Sequence, residues 1–205
     1  MARPRTFDEG RALDAAMRTF WEKGYEAAST QDLCDATGLG RSSIYNTFKS
    51  KHDLFERALT RYVDMTTRTQ QEVLEEPGRS GAERVRALFA VIVESETDQR
   101  LGGRSLGCLT VNTLVGMAGR DPRTAAILER DTARRLAMMR AVLEDGRRDG
   151  SITAPQDAGA LARFVNATIA GIRVSSQGGA DRAALEAIAE VAVAALTSVR
   201  PVRPV

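Results

Sequence analysis

The stretch TGLGRSSIYNTFKSKHDLF, residues Thr37–Phe55, contains the pattern that decides the fold. A glycine-containing turn precedes a segment of about two helical turns, Arg41–Thr47, and the inward anchors Ile44 and Phe48 stand at spacing four. Within this stretch no acidic residue occurs before Asp53, although the whole chain has 29 Lys and Arg against 27 Asp and Glu. Because carboxylates would repel a DNA backbone, the stretch predicts the second helix of a helix-turn-helix, which enters the major groove.

The outer face of this predicted helix carries side chains suited to DNA. Tyr45, Thr47 and Lys51 are expected at phosphates, and Lys51 also lies in the first turn of the next helix, where free N–H groups favour an anion. Ser29, predicted to cap the preceding helix, is a further candidate contact. The alternative is a solvated helical turn with a few basic side chains. Four residues carry groups that hydrogen-bond base edges, Asn suiting adenine and Arg suiting guanine: Arg41, Ser42, Ser43 and Asn46.

Helical periodicity continues through the rest of the chain and predicts an all-α protein. Glycine, proline and polar breaks separate about nine helices, and no strand alternation is sustained. Ser50 is expected to cap a long fourth helix that ends near Glu75. This helix links a helix-turn-helix DNA-binding domain at residues 1–50 to a helical body at residues 51–200.

The last two predicted helices are rich in alanine and have apolar faces. Small residues let helices approach closely, so the two are expected to form an antiparallel hairpin. Four such helices from two subunits would form a bundle, which predicts a homodimer. The residues expected on these faces are Leu161, Val165, Ile169, Ile172, Leu185, Ile188, Ala192, Ala195 and Leu196.

Composition narrows the possible functions. The net charge is only +2, so a site for a polyanion must be local. The single histidine, His52, leaves little material for a His-based triad or a multi-His metal site, so no catalytic residue, metal or cofactor is expected. His52 itself is expected to have a capping or phosphate-side role. Cys34 and Cys108 lie far apart in sequence and are expected to be free thiols.

The N-terminal residues lack the apolar run of a signal peptide. No stretch reaches the length of about 18 apolar residues that a membrane span requires. A cytoplasmic protein without a membrane partner is therefore expected.

The segment from Arg5 to Phe55 resembles the N-terminal DNA-binding domain of the tetracycline-repressor (TetR/AcrR) family. The resemblance covers about the first quarter of the chain and departs from the family at Gly40, where the family often has a capping serine. Glycine is itself an acceptable N-cap, so the same geometry is expected. The matching residues are Ala16, Phe20, Gly24, Tyr25, Ser29, Asp32, Leu33, Gly38, Leu39, Ile44, Tyr45, Phe48, Lys51, Leu54 and Phe55.

This resemblance implies a three-helix DNA-binding head, a connecting helix, and a divergent helical body that binds a small effector and dimerises through its last two helices. It also implies that the basic arm with Arg3 and Arg5 reaches a minor groove or phosphate. A frayed terminus is the alternative for this arm.

Polar side chains interrupt two apolar helical segments of the body. Cys108 and Asn112 lie in LGCLTVNTLVGMAG, and Asn166 follows Phe164 in ARFVNATIAGIRV. Together with Met138 they are candidates for an effector pocket, since ligand sites combine apolar walls with a few polar groups. Core packing and backbone hydrogen bonds explain the same residues.

The expected function is that of a homodimeric transcriptional regulator. A repressor is expected that leaves its double-stranded DNA operator when an unknown small-molecule effector changes the separation of its two heads. Two alternatives stay open. One is a DNA-binding protein without an effector, and the other is a redox sensor or a thiol enzyme that depends on Cys108.

Overall fold

The computed structural model describes residues 8–98, 100–101 and 104–198. These residues form nine α-helices and one short antiparallel hairpin, in which Arg100 pairs with Ser105 and Leu101 with Arg104. The predicted all-α class is confirmed for this part of the chain, and strands of two residues are too short to show an alternating pattern. The elements in chain order are α1 (Glu9–Lys23), α2 (Thr30–Thr37), α3 (Arg41–Phe48), α4 (Lys51–Leu74), α5 (Gly81–Asp98), β1 (Arg100–Leu101), β2 (Arg104–Ser105), α6 (Leu109–Met117), α7 (Pro122–Arg148), α8 (Ala158–Gln177) and α9 (Arg182–Thr197).

Contacts between residues divide the chain into two compact units. The first unit comprises the described residues up to Thr66 together with Cys108–Glu129, and the second comprises Thr67–Gly107 and the described residues from Arg130 onward. The packing boundary therefore falls within α4, beyond residue 50. The reason is that the first turns of α4, with Leu54 and Phe55, are buried in the core of the first unit.

Aromatic side chains form the centre of the first unit. Phe20 of α1, Phe48 of α3 and Phe55 of α4 are almost completely buried. The rings of Phe20 and Phe55 meet edge to face with centroids 5.1 Å apart, and Tyr25 stacks on Phe20 at 6.2 Å. Such aromatic pairs add to the free energy gained by burial alone, so they hold α1, α3 and α4 together.

In the second unit, α9 packs against α5 and α8. The core buries Phe89 of α5, Leu143 of α7 and Ile172 of α8. One buried carboxylate, Glu96, accepts a hydrogen bond from the Ser105 hydroxyl at 2.7 Å. Burial raises the pKa of Glu96, and the Ser105 hydrogen bond opposes that shift.

The residues predicted to join two subunits instead build this core. Seven of the nine are buried inside the second unit, so the prediction is wrong for them. Ile188 is partly buried against the same core, and only Ala195 is exposed. Helical periodicity identifies an apolar face but does not tell whether the chain's own core or a partner covers it. The seven buried residues are Leu161, Val165, Ile169, Ile172, Leu185, Ala192 and Leu196.

Candidate nucleic-acid interface

The turn between α2 and α3 is built from two glycines. Gly38 ends α2 in the left-handed region, with φ 68° and ψ 14°, where glycine has no steric cost. Gly40 then caps α3 with φ −67° and no side-chain hydrogen bond, which is the geometry expected at this departure from the family. Ile44 and Phe48 of α3 are buried, so the opposite face of this helix points away from the core.

That opposite face carries the predicted base-reading residues. Arg41, Ser42 and Asn46 are exposed, and Ser43 is half-buried. The guanidinium of Arg41 offers a fork of two donors, and the amide of Asn46 offers a donor beside an acceptor. These are the groups that hydrogen-bond base edges in a major groove. The structure therefore brings these four residues to one short helix that the core holds rigidly from behind.

The two other candidates on α3 are less accessible. The Tyr45 hydroxyl lies 3.2 Å from the Thr30 hydroxyl, which fixes the phenol against the start of α2. Thr47 is 9 % exposed and lies with the inward residues of the helix. Both remain predicted phosphate contacts, and Thr47 is the more buried residue of the two.

The ammonium group of Lys51 is held at the first turn of α4. It lies 4.6 Å from the centroid of the Tyr25 ring and donates a hydrogen bond to the Glu26 carbonyl at 3.4 Å. Burial, followed by the nearby Glu26 carboxylate, raises the pKa of Tyr25, so the ring stays neutral beneath the cation. Tyr25 thus positions Lys51, a role that its place in the sequence does not reveal.

Ser29 caps α2 through the reciprocal bonds of a capping box. The backbone N–H of Asp32 donates to the Ser29 hydroxyl at 3.1 Å, and the backbone N–H of Ser29 donates to the Asp32 carboxylate at 2.8 Å. Hydrogen bonds from Lys23 and then from Ser29 hold the pKa of Asp32 well below its usual range. Since Lys23 pairs with this carboxylate at 2.5 Å, its negative charge is balanced next to the predicted DNA contact.

Lys49 adds a cation that the sequence analysis did not assign. It is exposed at the C-terminus of α3 and adopts φ 55°, the one positive value among the non-glycine residues that the structure describes. The only acidic residue of the opening stretch, Asp53, forms an ion pair with Arg57 at 3.0 Å. Cations therefore follow α3, and the nearest carboxylate in sequence is already paired.

The remaining candidates are placed as follows. Arg3 and Arg5 lie outside the described residues. Cys108 is 1 % exposed at the start of α6, where the Tyr62 hydroxyl donates to its sulfur at 3.5 Å, and Asn112 is half-buried on the same helix. These two residues belong to the first unit.

Three candidates for the effector site belong to the second unit. Met138 packs partly buried against its core, Asn166 is half-buried, and Phe164 is exposed on α8. The effector site itself stays a prediction.

The helices α2 and α3 are joined by a glycine turn and packed against α1, and α3 has a polar exposed face. This arrangement defines a helix-turn-helix DNA-binding protein. The chain matches two known families of protein domains. Residues 12–58 match the bacterial regulatory proteins of the tetR family, and residues 81–192 match the tetracyclin repressor-like C-terminal domain. The chain belongs to the tetR family of transcriptional regulators, which confirms the resemblance.

Relatives and solved structures agree with this assignment. The HTH-type transcriptional repressor ComR of Escherichia coli (strain K12) is 30 % identical over 190 residues, which cover 93 % of this chain and 88 % of ComR. A cysteine-substituted TetR family regulator, CifR, in complex with a 26-base-pair operator DNA has a TM-score of 0.77 at 30 % identity, with 95 % and 100 % of the two chains covered. Reduced NemR of E. coli has a TM-score of 0.82 at 18 % identity, with 94 % and 98 % covered, and shows the same fold.

No helix formed by the described residues combines the length and apolar composition that a bilayer crossing requires.

Mutations on the exposed face of α3 and mutations in the first turn of α4 are expected to change DNA binding in different ways. Lys51→Ala should weaken binding to all DNA about equally and reduce the salt slope by about one, because a phosphate contact carries no sequence information. Arg41→Ala and Asn46→Ala should each cost about 1–3 kcal/mol on the operator while weak nonspecific binding survives. Titration of operator and scrambled duplexes at two salt concentrations measures both effects.

Arg68→Ala provides a matched control, since Arg68 is an exposed basic residue of α4 outside the first unit. It should leave both affinities unchanged. A parallel loss on both duplexes for Arg41→Ala and Asn46→Ala would contradict their assignment as base readers. Sequence recognition would then have to come from Ser42, Ser43 or the N-terminal arm.

Proposed function

We propose that this chain is a homodimeric transcriptional repressor that leaves its operator when a small-molecule effector binds. One observation carries the proposal: the exposed polar face of α3, with Arg41, Ser42 and Asn46, stands on a buried aromatic core. The tetR-family relative ComR is a repressor, and CifR has been solved on operator DNA, which supports the same role here.

Recognition of an operator with two half-sites requires two heads at a fixed spacing. The exposed surface of the last two helices supports a dimer. On α8 a stripe at helical spacing remains uncovered, and its centre consists of the small residues Ala167 and Gly171. A second uncovered stripe on α9 has Val191, 71 % exposed, among alanines. Small residues permit close helix approach, and the larger apolar side chains gain from burial against a partner. The stripes are Phe164, Ala167, Gly171 and Val174 on α8, and Ala184, Ala187, Val191 and Ala195 on α9.

These stripes replace the faces named from the sequence. Each of the two helices has one apolar face that its own subunit covers and a second, smaller face that is open. Phe164, predicted to contact the effector, lies on the open stripe of α8, so contact with a partner subunit is the alternative role for its ring.

The effector would act through helices that share a core with the DNA reader. Cys108 and Leu109, at the start of α6, are buried in the same cluster as Phe48 of α3 and Leu54 of α4. A ligand in contact with Asn112, one turn further along α6, could therefore shift α4 and the recognition helix that precedes it. The free-energy requirement is that the ligand binds the shifted conformation more tightly than the DNA-binding one.

Repression is tested by locating the operator and then removing the protein. Genomic fragments retained by the purified chain identify the operator, and transcription of the adjacent gene is measured with and without the regulator. A repressor predicts that transcription rises on deletion and falls on complementation with the wild-type gene. Complementation with the Arg41→Ala variant or with the Asn46→Ala variant should fail to lower transcription. A fall of transcription on deletion would identify an activator instead.

The dimer surface is tested by a charge on the open stripe of α9. Val191→Arg should convert the dimer to monomer in sedimentation velocity, because it would place an unpaired guanidinium in an apolar interface. Gly171→Leu should do the same on α8, because a Cβ at this position meets no atom within 4 Å beyond its own helix backbone and the added side chain would therefore enlarge the open stripe.

Val115→Arg serves as the control for these variants. Val115 is 83 % exposed on α6 and is absent from both stripes. The control should remain dimeric at the same protein concentration. If both Val191→Arg and Gly171→Leu remain dimeric like the wild type, the interface must lie elsewhere.

A further inference from the structure

One cluster of ionisable side chains in the first unit lies outside the predicted base readers of α3. His52 and Glu56 stand four residues apart on α4, and Asp121 precedes α7. The His52 Nε2 atom lies 3.2 Å from Glu56 Oε1 and 3.2 Å from Asp121 Oδ2. One donor atom from each of the three residues can be chosen so that all lie within 4.8 Å of one another.

The carboxylate of Glu56 is the unusual member of this cluster. The residue is 7 % exposed, and its Oε1 atom is buried without a hydrogen-bond donor. Its Oε2 atom pairs with Arg123 at 2.9 Å. A buried carboxylate oxygen that accepts no hydrogen bond is costly, and the ion-pair contact with His52 Nε2 at 3.2 Å does not supply one, so Oε1 still lacks a hydrogen-bond donor.

We propose that His52, Glu56 and Asp121 bind a divalent transition-metal ion of the Zn²⁺ class. An imidazole nitrogen and two carboxylate oxygens are ordinary zinc ligands at about 2.0–2.2 Å. In a tetrahedral complex of that size, neighbouring ligand atoms lie about 3.3–3.6 Å apart. The two separations of 3.2 Å from His52 Nε2 are close to this edge length, and the three ligand atoms all lie within 4.8 Å of one another. Binding the ion therefore requires side-chain shifts that bring the two carboxylate oxygens to the same spacing.

The third ligand is already oriented by the start of α7. Asp121 accepts hydrogen bonds from the backbone N–H groups of Arg123 at 3.1 Å and Thr124 at 3.3 Å. The buried Thr124 hydroxyl donates to Asp121 Oδ2 at 2.6 Å, which leaves that oxygen a lone pair directed elsewhere. Hydrogen bonds of this kind fix the orientation of metal ligands and strengthen binding.

Charge and access also favour a cation. A neutral imidazole and two carboxylates carry two negative charges, which a divalent ion neutralises. The Arg123 guanidinium pairs with the other carboxylate oxygen of Glu56, Oε2, and its side chain is 71 % exposed, so it does not occupy the position between Oε1 and His52 Nε2. Three protein ligands leave a fourth coordination position for water, the arrangement typical of open zinc sites.

A metal ion bound by these residues would link the first turns of α4 to the start of α7 within the first unit. His52 directly follows Lys51, so the ion would also restrain the turn that carries the predicted phosphate contact. The site consists of residues separate from the predicted effector contacts, and it rests neither on repression nor on effector release.

Direct titration of the full-length, untagged, metal-free protein with Zn²⁺ tests the proposal. Isothermal titration calorimetry at neutral pH should show one ion per chain, and Co²⁺ should acquire the intense visible absorption of a low-symmetry site. His52→Gln and Asp121→Asn should each weaken binding at least about tenfold, since loss of a group that merely orients a ligand costs about that much. Asn is also a good N-cap, so Asp121→Asn keeps α7 folded.

Two controls separate this site from others. Asp35→Asn removes an exposed carboxylate of the same unit, and Cys34→Ser removes the half-buried thiol. Both should bind Zn²⁺ as the wild type does, and Mg²⁺ should not compete because it prefers oxygen ligands. No binding by the wild type below about 1 mM, or equal affinity in all four variants, would overturn the proposal.

Discussion

The packing of α3 on the aromatic core of the first unit is the interaction on which DNA recognition depends. Phe48 and Ile44 bury one side of the helix against Phe20 and Phe55, and this leaves Asn46 and its neighbours on the other side. A helix of two turns is not stable alone in water, so tertiary packing must supply its order. The rigidity of the reading face is thus a property of the core behind it.

The fourth helix connects this reading face to the rest of the chain. Its first turns contain Lys51, held on Tyr25, and the His52–Glu56 pair that faces Asp121. Its last turns belong to the second unit. Only Lys49 and Ser50 separate α4 from α3. A ligand that changes the position of α4 therefore acts close to the reading helix, which is why both an effector and a bound metal ion could alter DNA affinity.

Local signals made much of this predictable from the sequence. The capping box at Ser29 and the glycine turn before Arg41 depend on neighbours along the chain, and the structure has both. Contacts between distant segments were not predictable. The pairing of Glu56 with Asp121 through His52 needs the fold, and so does the discovery that Leu161 and its companions face their own core rather than a partner. The location of an effector site also depends on contacts between distant segments and was not predictable for the same reason.

Base reading by α3 can be measured as the coupling between a change in the protein and a change in the DNA. Each guanine of the operator half-site is replaced in turn by 7-deazaguanine, which lacks the N7 acceptor, and binding is measured for the wild type and for Arg41→Ala. If Arg41 contacts a guanine N7, one position per half-site should show coupling of the two changes by about 1–3 kcal/mol. Additive effects at every guanine would contradict base reading by Arg41.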